Sequence, residues 1–266
     1  MNAPGRLAAL VLAGSRGGGD PLEAYAGVSH KALIRIGERT MIERVVGALA
    51  AIAEVDRIVI AIERPEVLSM LAGLRPPLCA KPVSTMPAAA SPSASVAAAL
   101  ERESVPLLAT TADHALLQPG WLRQFIDACP PEVDLSLALA RKEAIRAAAP
   151  DTQRTYLRFA DGEFSGCNLF LLRRPAAAGI VRLWREIEAE RKSPFRMMRR
   201  LGPGYALRYR FGRLRVAEAL ERLHQLSGAS IGIVELADGR AAIDVDKPAD
   251  LDLVRRLAAA EHVREG

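Results

Sequence analysis

A short apolar run that opens directly into a glycine cluster constrains this chain more than any other stretch. Leu7–Leu12 holds no Gly, Pro or charge and reads as a buried strand. Gly14, Gly17, Gly18 and Gly19 follow at once, with Arg16 among them. Glycines at a strand end let backbone N–H groups approach an anion closely, and an arginine adds a planar fork of donors. With Lys31 further on, the stretch is a candidate cradle for a triphosphate. The same residues also fit a plain flexible turn with a solvated lysine. Neither common phosphate loop is present. There is no Gly-x4-Gly-Lys-[Ser/Thr], and the glycines do not fit Gly-x-Gly-x-x-Gly.

Behind this loop, strands and helices alternate. Residues 33–36 are short and extended, and Thr40 opens a helix to about Ala53 with Glu43 three residues on, a capping-box pattern. Residues 56–62, 78–83, 105–110, 133–140 and 231–236 read as strands. Helices are expected over 65–71, 93–103, 118–129, 176–192, 194–201, 214–226 and from Pro248 to about Ala260. Residues 155–172 read as a hairpin around Asp161-Gly162, and 240–245 as extended. Alternation of this kind predicts an α/β fold with a mostly parallel sheet covered on both faces, and ligands at the carboxyl ends of its strands. The Gly-rich loop and Asp113 both fall at such ends.

Composition narrows the class. Half the residues are hydrophobic but only 5% aromatic, so the core is mainly Ala, Leu, Val and Ile. A net charge of +5 suits an anionic small molecule and gives no case for nucleic acid as partner. Cys79, Cys129 and Cys167 are far apart and form no Cys-x-x-Cys pair, which argues against zinc and disulfides. The apolar run near the N-terminus is too short for a signal peptide, so a cytoplasmic location is expected.

Several constellations could carry chemistry. Asp113, just beyond the 105–110 strand, could hold a divalent cation or cap a turn. Asp244 and Asp246, two apart on an extended stretch, would share a face; Asp246 could instead cap the Pro248 helix. Ser91, Ser93 and Ser95 open a helix whose N–H groups suit base or ribose atoms, Ser95 being the chosen contact. Cys167 has no neighbouring His in sequence and is not expected to be a nucleophile, and His30, His114 and His224 show no metal-ligand spacing. Arg196, Arg199, Arg200, Arg208, Arg210, Arg213 and Arg215 alternate with apolar residues over 195–215. That run fits a solvated face, a phosphate-bearing acceptor site or a peripheral contact with anionic lipid.

The segment His30-Lys31-Ala32-Leu33-Ile34-Arg35-Ile36-Gly37-Glu38-Arg39-Thr40 resembles the signature-lysine region of GT-A-type nucleotidyltransferases, close to the molybdenum cofactor guanylyltransferase-like (MobA-like) branch. The likeness covers 7–53, 91–115 and 229–255 well and 155–172 loosely, and leaves 173–228 as a helical acceptor-side insertion in a single domain over 1–266. It implies a three-layer α/β/α sandwich, Rossmann-like, with a mixed, mainly parallel sheet. It implies Mg²⁺-dependent transfer of a nucleotidyl group from a nucleoside triphosphate to a phosphorylated small-molecule acceptor, with release of pyrophosphate. Lys31 and Arg16 would be catalytic. Leu12, Ala13, Gly14, Ser15, Gly17 and Ser95 would bind nucleotide, and Asp113 and Asp246 would hold the metal, with Asp244 as the alternative second ligand. Two departures stand out: Lys247 where relatives usually have Thr, and Cys167 in place of a small residue. A nucleotide-sugar glycosyltransferase and a non-catalytic nucleotide-binding module are the competing readings.

Overall fold

A computed structural model of the chain describes residues 6–15, 20–188 and 199–265. The expectations placed on Arg16 and Gly17 lie outside them, as do Gly18, Gly19 and residues 189–198.

The strand expected at the N-terminus becomes the spine of the molecule. In chain order the strands are β1 (Leu7–Leu12), β2 (Arg35–Ile36), β3 (Arg39–Thr40), β4 (Val55–Ala61), β5 (Val83–Met86), β6 (Leu107–Thr111), β7 (Leu135–Arg141), β8 (Leu157–Phe159), β9 (Gly162–Leu172) and β10 (Ile231–Glu235). Eight of them form one sheet in the order β10-β7-β9-β6-β1-β4-β5, with β8 paired to β9. β1 lies parallel between β4 and β6, while β9 runs antiparallel to β6 and β7. The sheet is therefore mixed and mainly parallel, as the alternation of elements required.

The helices are α1 (Pro21–Ala26), α2 (Met41–Ala50), α3 (Pro92–Glu103), α4 (Pro119–Ala128), α5 (Lys142–Ala148), α6 (Ala177–Ile187), α7 (Pro203–Arg210), α8 (Val216–Ser227) and α9 (Pro248–Glu265). Side chains alternate across β1, and the two cores follow that period of two. Leu7, Ala9 and Val11 join a core with Ile42, Val46 and Leu49 of α2, Phe125 of α4 and Val254 of α9. Ala8 and Leu10 join the opposite core with Val96 and Ala99 of α3 and Val181 of α6. Three layers result because an all-apolar strand must be covered on both sides. α2 starts as expected: Thr40 Oγ1 accepts from Glu43 N–H at 3.3 Å and the Glu43 carboxylate accepts from Thr40 N–H at 2.9 Å.

Several elements differ from the sequence expectation, for local reasons. The strand expected at 78–83 starts at Val83, because Pro82 has no N–H and Cys79 N–H turns back to the Arg75 carbonyl at 2.9 Å. The helix expected over 65–71 is a short 3₁₀ turn, Pro65–Leu68, without a side-chain cap. The extended stretch expected at 240–245 begins as a 3₁₀ turn, Gly239–Ala242, pinned by Asp238 accepting from Arg240 N–H at 2.9 Å. Within residues 173–228 the described helices pack in two ways. α6 supplies Ala177 and Val181 to the second core, and only α7 and α8 build a small cluster of their own around Leu201, Ala206, Leu214 and Ala219.

Gly239 packs its turn directly on α5. A Cβ there would stand 2.2 Å from the Ala144 carbonyl oxygen, backbone against backbone, with no flexible side chain to yield. Gly239→Ala is therefore expected to cost about 1–3 kcal/mol or more of stability, read as a lowered urea midpoint at unchanged m.

Candidate active site

The site lies where β1, β6 and the segment before α9 meet at the carboxyl end of the sheet. Ala112 N–H donates to the Leu12 carbonyl at 2.9 Å, and Val245 N–H donates to the Asp113 carbonyl at 3.0 Å. Two backbone bonds thus fix three segments that are far apart in sequence. Lys31 opens the 3₁₀ turn Lys31–Leu33, and its Nζ stands 3.6 Å from Asp113 Oδ2. The lysine and the strand-end aspartate singled out in the sequence do converge.

His30 and two glutamates brace the loop that carries Lys31. His30 Nδ1 accepts from Ala32 N–H at 3.1 Å, which leaves its proton on Nε2, 3.1 Å from Glu63 Oε1. The other Glu63 oxygen accepts from Ser15 N–H at 3.1 Å. Burial works against the Glu63 charge, but its own amide, the Ser15 amide and His30 outweigh it and hold the carboxyl below its usual range. Glu23 accepts from Ser15 Oγ at 3.0 Å and from Lys31 N–H at 3.1 Å. Both donors of Ser15 are therefore committed to carboxylates, so Ser15 secures the loop in this arrangement. Gly14 packs closely on the strand-end turn: a Cβ there would lie 3.2 Å from Ala88 Cβ. Ala13 N–H is committed to the Ala61 carbonyl at 2.9 Å, so Leu12 and Ala13 continue the sheet up to the loop. Ser95 is buried, and its hydroxyl oxygen accepts from Ala89 N–H at 2.9 Å, which shapes the Ala88–Ala89 turn.

The acidic side of the site has two kinds of carboxylate. Asp244 is buried and accepts from Arg154 Nη1 and, at 2.9 Å, from Asn168 Nδ2. Burial alone would raise it, but Arg154 and Asn168 more than offset that and keep it ionised. Asp113 is less well served. Its Oδ1 is buried with no hydrogen-bond partner, and burial, only partly countered by Lys31 and aggravated by Asp244, pushes its carboxyl up to about 6. Asp246 is exposed at the rim, and partial desolvation together with Asp244 raises it as well. Three carboxylates face Lys31 and Arg154, leaving one negative charge uncompensated when all ionise.

That excess fits a divalent cation. An unpartnered buried carboxylate oxygen and a second carboxylate at the rim are hard donors of the kind Mg²⁺ takes, one or two at a time, alongside phosphate oxygens and water. Among the described residues no group of three His, Cys, Asp or Glu side chains converges to hold a metal alone. Asp244 is already neutralised by Arg154, which leaves Asp113 and Asp246 as the better pair.

Arg154 carries no motif, and Asn168 lies in the Ser165–Phe170 segment that resembles an acceptor-side stretch of relatives; neither is among the site residues expected from sequence. Asn168 sits at φ 50° where β9 bulges against Leu137–Leu139 of β7. Asparagine tolerates this left-handed geometry, and the bulge brings its amide to Asp244. Cys167 beside it is buried, and its thiol is pushed up to about 12 by burial, so it is inert. Lys247 turns its ammonium to Gln153 Oε1 at 3.2 Å, while its N–H keeps the helix cap through Asp250 at 3.1 Å. The departure from Thr leaves the turn intact. His114 is buried against Trp121, ring centroids 6.2 Å apart, and burial lowers it to about 4, so it stays neutral. Among the described residues no helix is long and apolar enough to cross a membrane.

Comparison with known proteins bears on the fold and the family. A hypothetical transferase from Thermus thermophilus is 31% identical over 92% of this chain and 99% of its own, with a TM-score of 0.76. CMP:2-keto-3-deoxy-manno-octonic acid synthetase complexed with CTP is 16% identical over 97% and 100%, with a TM-score of 0.57. A putative glucose-1-phosphate thymidylyltransferase from Bacillus anthracis is 12% identical over 95% of each chain, with the same score of 0.57. The last two show the fold alone. No curated protein matches the chain. The model of the MobA-like NTP transferase domain matches residues 9–231, so the chain belongs to the MobA-like NTP transferase family and is a nucleotidyltransferase.

Proposed function

We propose that this protein transfers a nucleotidyl group from a nucleoside triphosphate to a phosphorylated small-molecule acceptor and releases pyrophosphate, with Mg²⁺ held by Asp113 and Asp246. The observation that carries the reading is the Lys31 ammonium 3.6 Å from Asp113, whose Oδ1 is buried without a hydrogen-bond partner just past the end of β6. Family membership sets the reaction class, and the acid–lysine pair supplies the means.

The acceptor phosphate oxygen attacks the α-phosphorus, its new P–O bond forming as the bond to the β-phosphate oxygen breaks and pyrophosphate departs. Both partners are anionic, so the task of the chain is to neutralise charge and to align the reactants. Bound Mg²⁺ would supply Lewis-acid charge neutralisation at the phosphates. Lys31 offsets charge at the α-phosphate or the acceptor. Asp113, whose ionised form is disfavoured by burial, is better accommodated beside a cation, which favours a cation-bearing triphosphate. Leu12, Ala13 and Gly14 form the strand end beside which the nucleotide lies, and Arg16 with the Gly17 amide would face the outer phosphates. Arg154, already on Asp244, keeps that carboxylate from competing for the metal.

Incubation with each of the four NTPs, Mg²⁺ and a panel of acceptor phosphates should release pyrophosphate for one NTP–acceptor pair. The same NTP with Mg²⁺ should raise Tm, a ligand at 100 times its Kd adding about 2.7 kcal/mol. Release of a nucleoside diphosphate from a nucleotide-sugar in place of pyrophosphate would identify sugar transfer. Binding of NTP without turnover by any acceptor would identify a non-catalytic module.

A further inference from the structure

We infer that the outer face of α7 and the turn after it seats this protein on an anionic lipid bilayer, on the same side of the molecule as the active-site mouth. Leu207 and Phe211 are 59% and 65% exposed. They are four residues apart and so share one helix face. They are not remnants of an undocked helix, because the opposite face is already packed. Leu201, Ala206 and Leu214 are buried there, with Tyr205, Tyr209 and Phe159 against them.

The described stretch that carries this pair is basic: residues 199–217 contain six Arg and no Asp or Glu. Arg210 and Arg213 are exposed beside the apolar pair, whereas Arg208 is held by Glu218 at 2.5 and 2.7 Å. Protruding apolar side chains ringed by arginines match a bilayer with anionic headgroups, since the rings and methyls enter the acyl boundary while the guanidiniums meet phosphates. A second copy of the chain would bring the same positive patch against itself.

The patch is rigidly tied to the catalytic end of the sheet. Tyr209 Oη accepts from Arg158 N–H at 3.0 Å, Ala160 N–H donates to the Leu214 carbonyl at 2.8 Å, and Val216 N–H donates to Asp161 at 3.1 Å. These bonds hold α7 and α8 to the β8–β9 hairpin. β9 is antiparallel to β6, so the hairpin emerges at the carboxyl end of β6, the end that carries Asp113. A protein seated through α7 keeps its active site near the headgroups. The inference is independent of the proposed reaction, because seating needs no nucleotide.

The test is co-sedimentation of the full chain with vesicles of phosphatidylcholine alone or with roughly one-third phosphatidylglycerol, at low and at physiological salt. Binding to the anionic vesicles at least about tenfold tighter than to the neutral ones is expected, weakening with salt. Leu207→Ser/Phe211→Ser and, separately, Arg210→Glu/Arg213→Glu should each lower the partition coefficient about tenfold while the Mg²⁺–NTP melting shift is unchanged. Absence of binding to either vesicle by the wild type overturns the inference. So does binding lost in the charge-reversed variant but kept in the serine variant, the mark of a polyanion such as nucleic acid. A concentration-dependent dimer dissolved by the serine variant would assign the face to a second copy and overturn it too.

Discussion

Asp113→Asn is expected to lower turnover about 10²–10³-fold and, in the ligand-free protein, to raise stability at pH 7–8. Turnover falls because the amide cannot supply the anionic oxygen that a bound cation needs, and loss of one electrostatic stabiliser is worth about that factor. Stability rises because the native carboxylate is poorly accommodated. Its Oδ1 is buried without a hydrogen bond, and its carboxyl titrates at about 6 against an ordinary 3.8. The folded state binds this proton more tightly than the unfolded state, so stability falls as the pH rises from about 4 to 6 and stays reduced above. The gap corresponds to at most ~3 kcal/mol, and Lys31 and Asp244 share in the titration, so a gain on the order of 1–3 kcal/mol is expected in the variant. Tm measured from pH 4.5 to 8 should show the wild type losing stability across that window and the variant losing much less. Near-wild-type pyrophosphate release by the variant would remove Asp113 from the reaction. A pH slope as steep as the wild type's would show that the strain lies elsewhere.

The Asp113 carboxylate carries a cost in the ligand-free fold, which is the trade the proposed cation site implies. Asp244 makes the contrast. It is equally removed from water, yet Arg154 and Asn168 satisfy it, and its carboxyl lies below the ordinary range. Two neighbouring acids thus depart in opposite directions: Asp244 is the counter-ion of Arg154, and Asp113 is the one we propose as a cation ligand.

The legible parts of the chain were those where local sequence and tertiary demand coincide. The apolar Leu7–Leu12 run has to be buried on both faces, so it fixed a central parallel strand and with it the three-layer plan. Thr40 and Glu43 cap α2 as their spacing demands. Asp113 was legible because it follows a strand end of a parallel sheet, whereas Lys31 and Asp246 drew their roles from the family resemblance. Arg154 was illegible, since it lies in an irregular segment and its meaning comes only from Asp244, 90 residues on. Asn168 left a faint trace, a residue tolerant of positive φ inside an apolar strand, which is a bulge signal. Ser95 accepts from Ala89 N–H, and a serine at a helix N-terminus serves as an inward brace as readily as it serves a ligand, so its place in the sequence does not separate the two roles. Glu63 and Glu23 follow no motif, yet both reach Ser15 and so decide what its donors can do.

Lys31→Met is expected to lower kcat about 10³-fold, with a much smaller change in KM for the triphosphate. The ammonium is the nearest cation to Asp113, and it also lowers the Asp246 carboxyl. Its loss therefore acts twice, on the charge of the reacting phosphates and on the protonation of both metal-side acids. Without Lys31 those acids hold their protons to higher pH, so the acid limb of the activity profile should move upward. The same loss leaves the Asp113 charge less compensated, and ligand-free stability at pH 8 should drop. Lys31→Arg should restore the stability but little of kcat, because a guanidinium fork cannot occupy the place of a compact ammonium. In an Asp113→Asn background Lys31→Met should cost far less than in the wild type, since groups that act as a unit are not additive. Equal cost in both backgrounds would mean that the lysine and the aspartate work apart, and the 3.6 Å contact between them would then have no part in the chemistry.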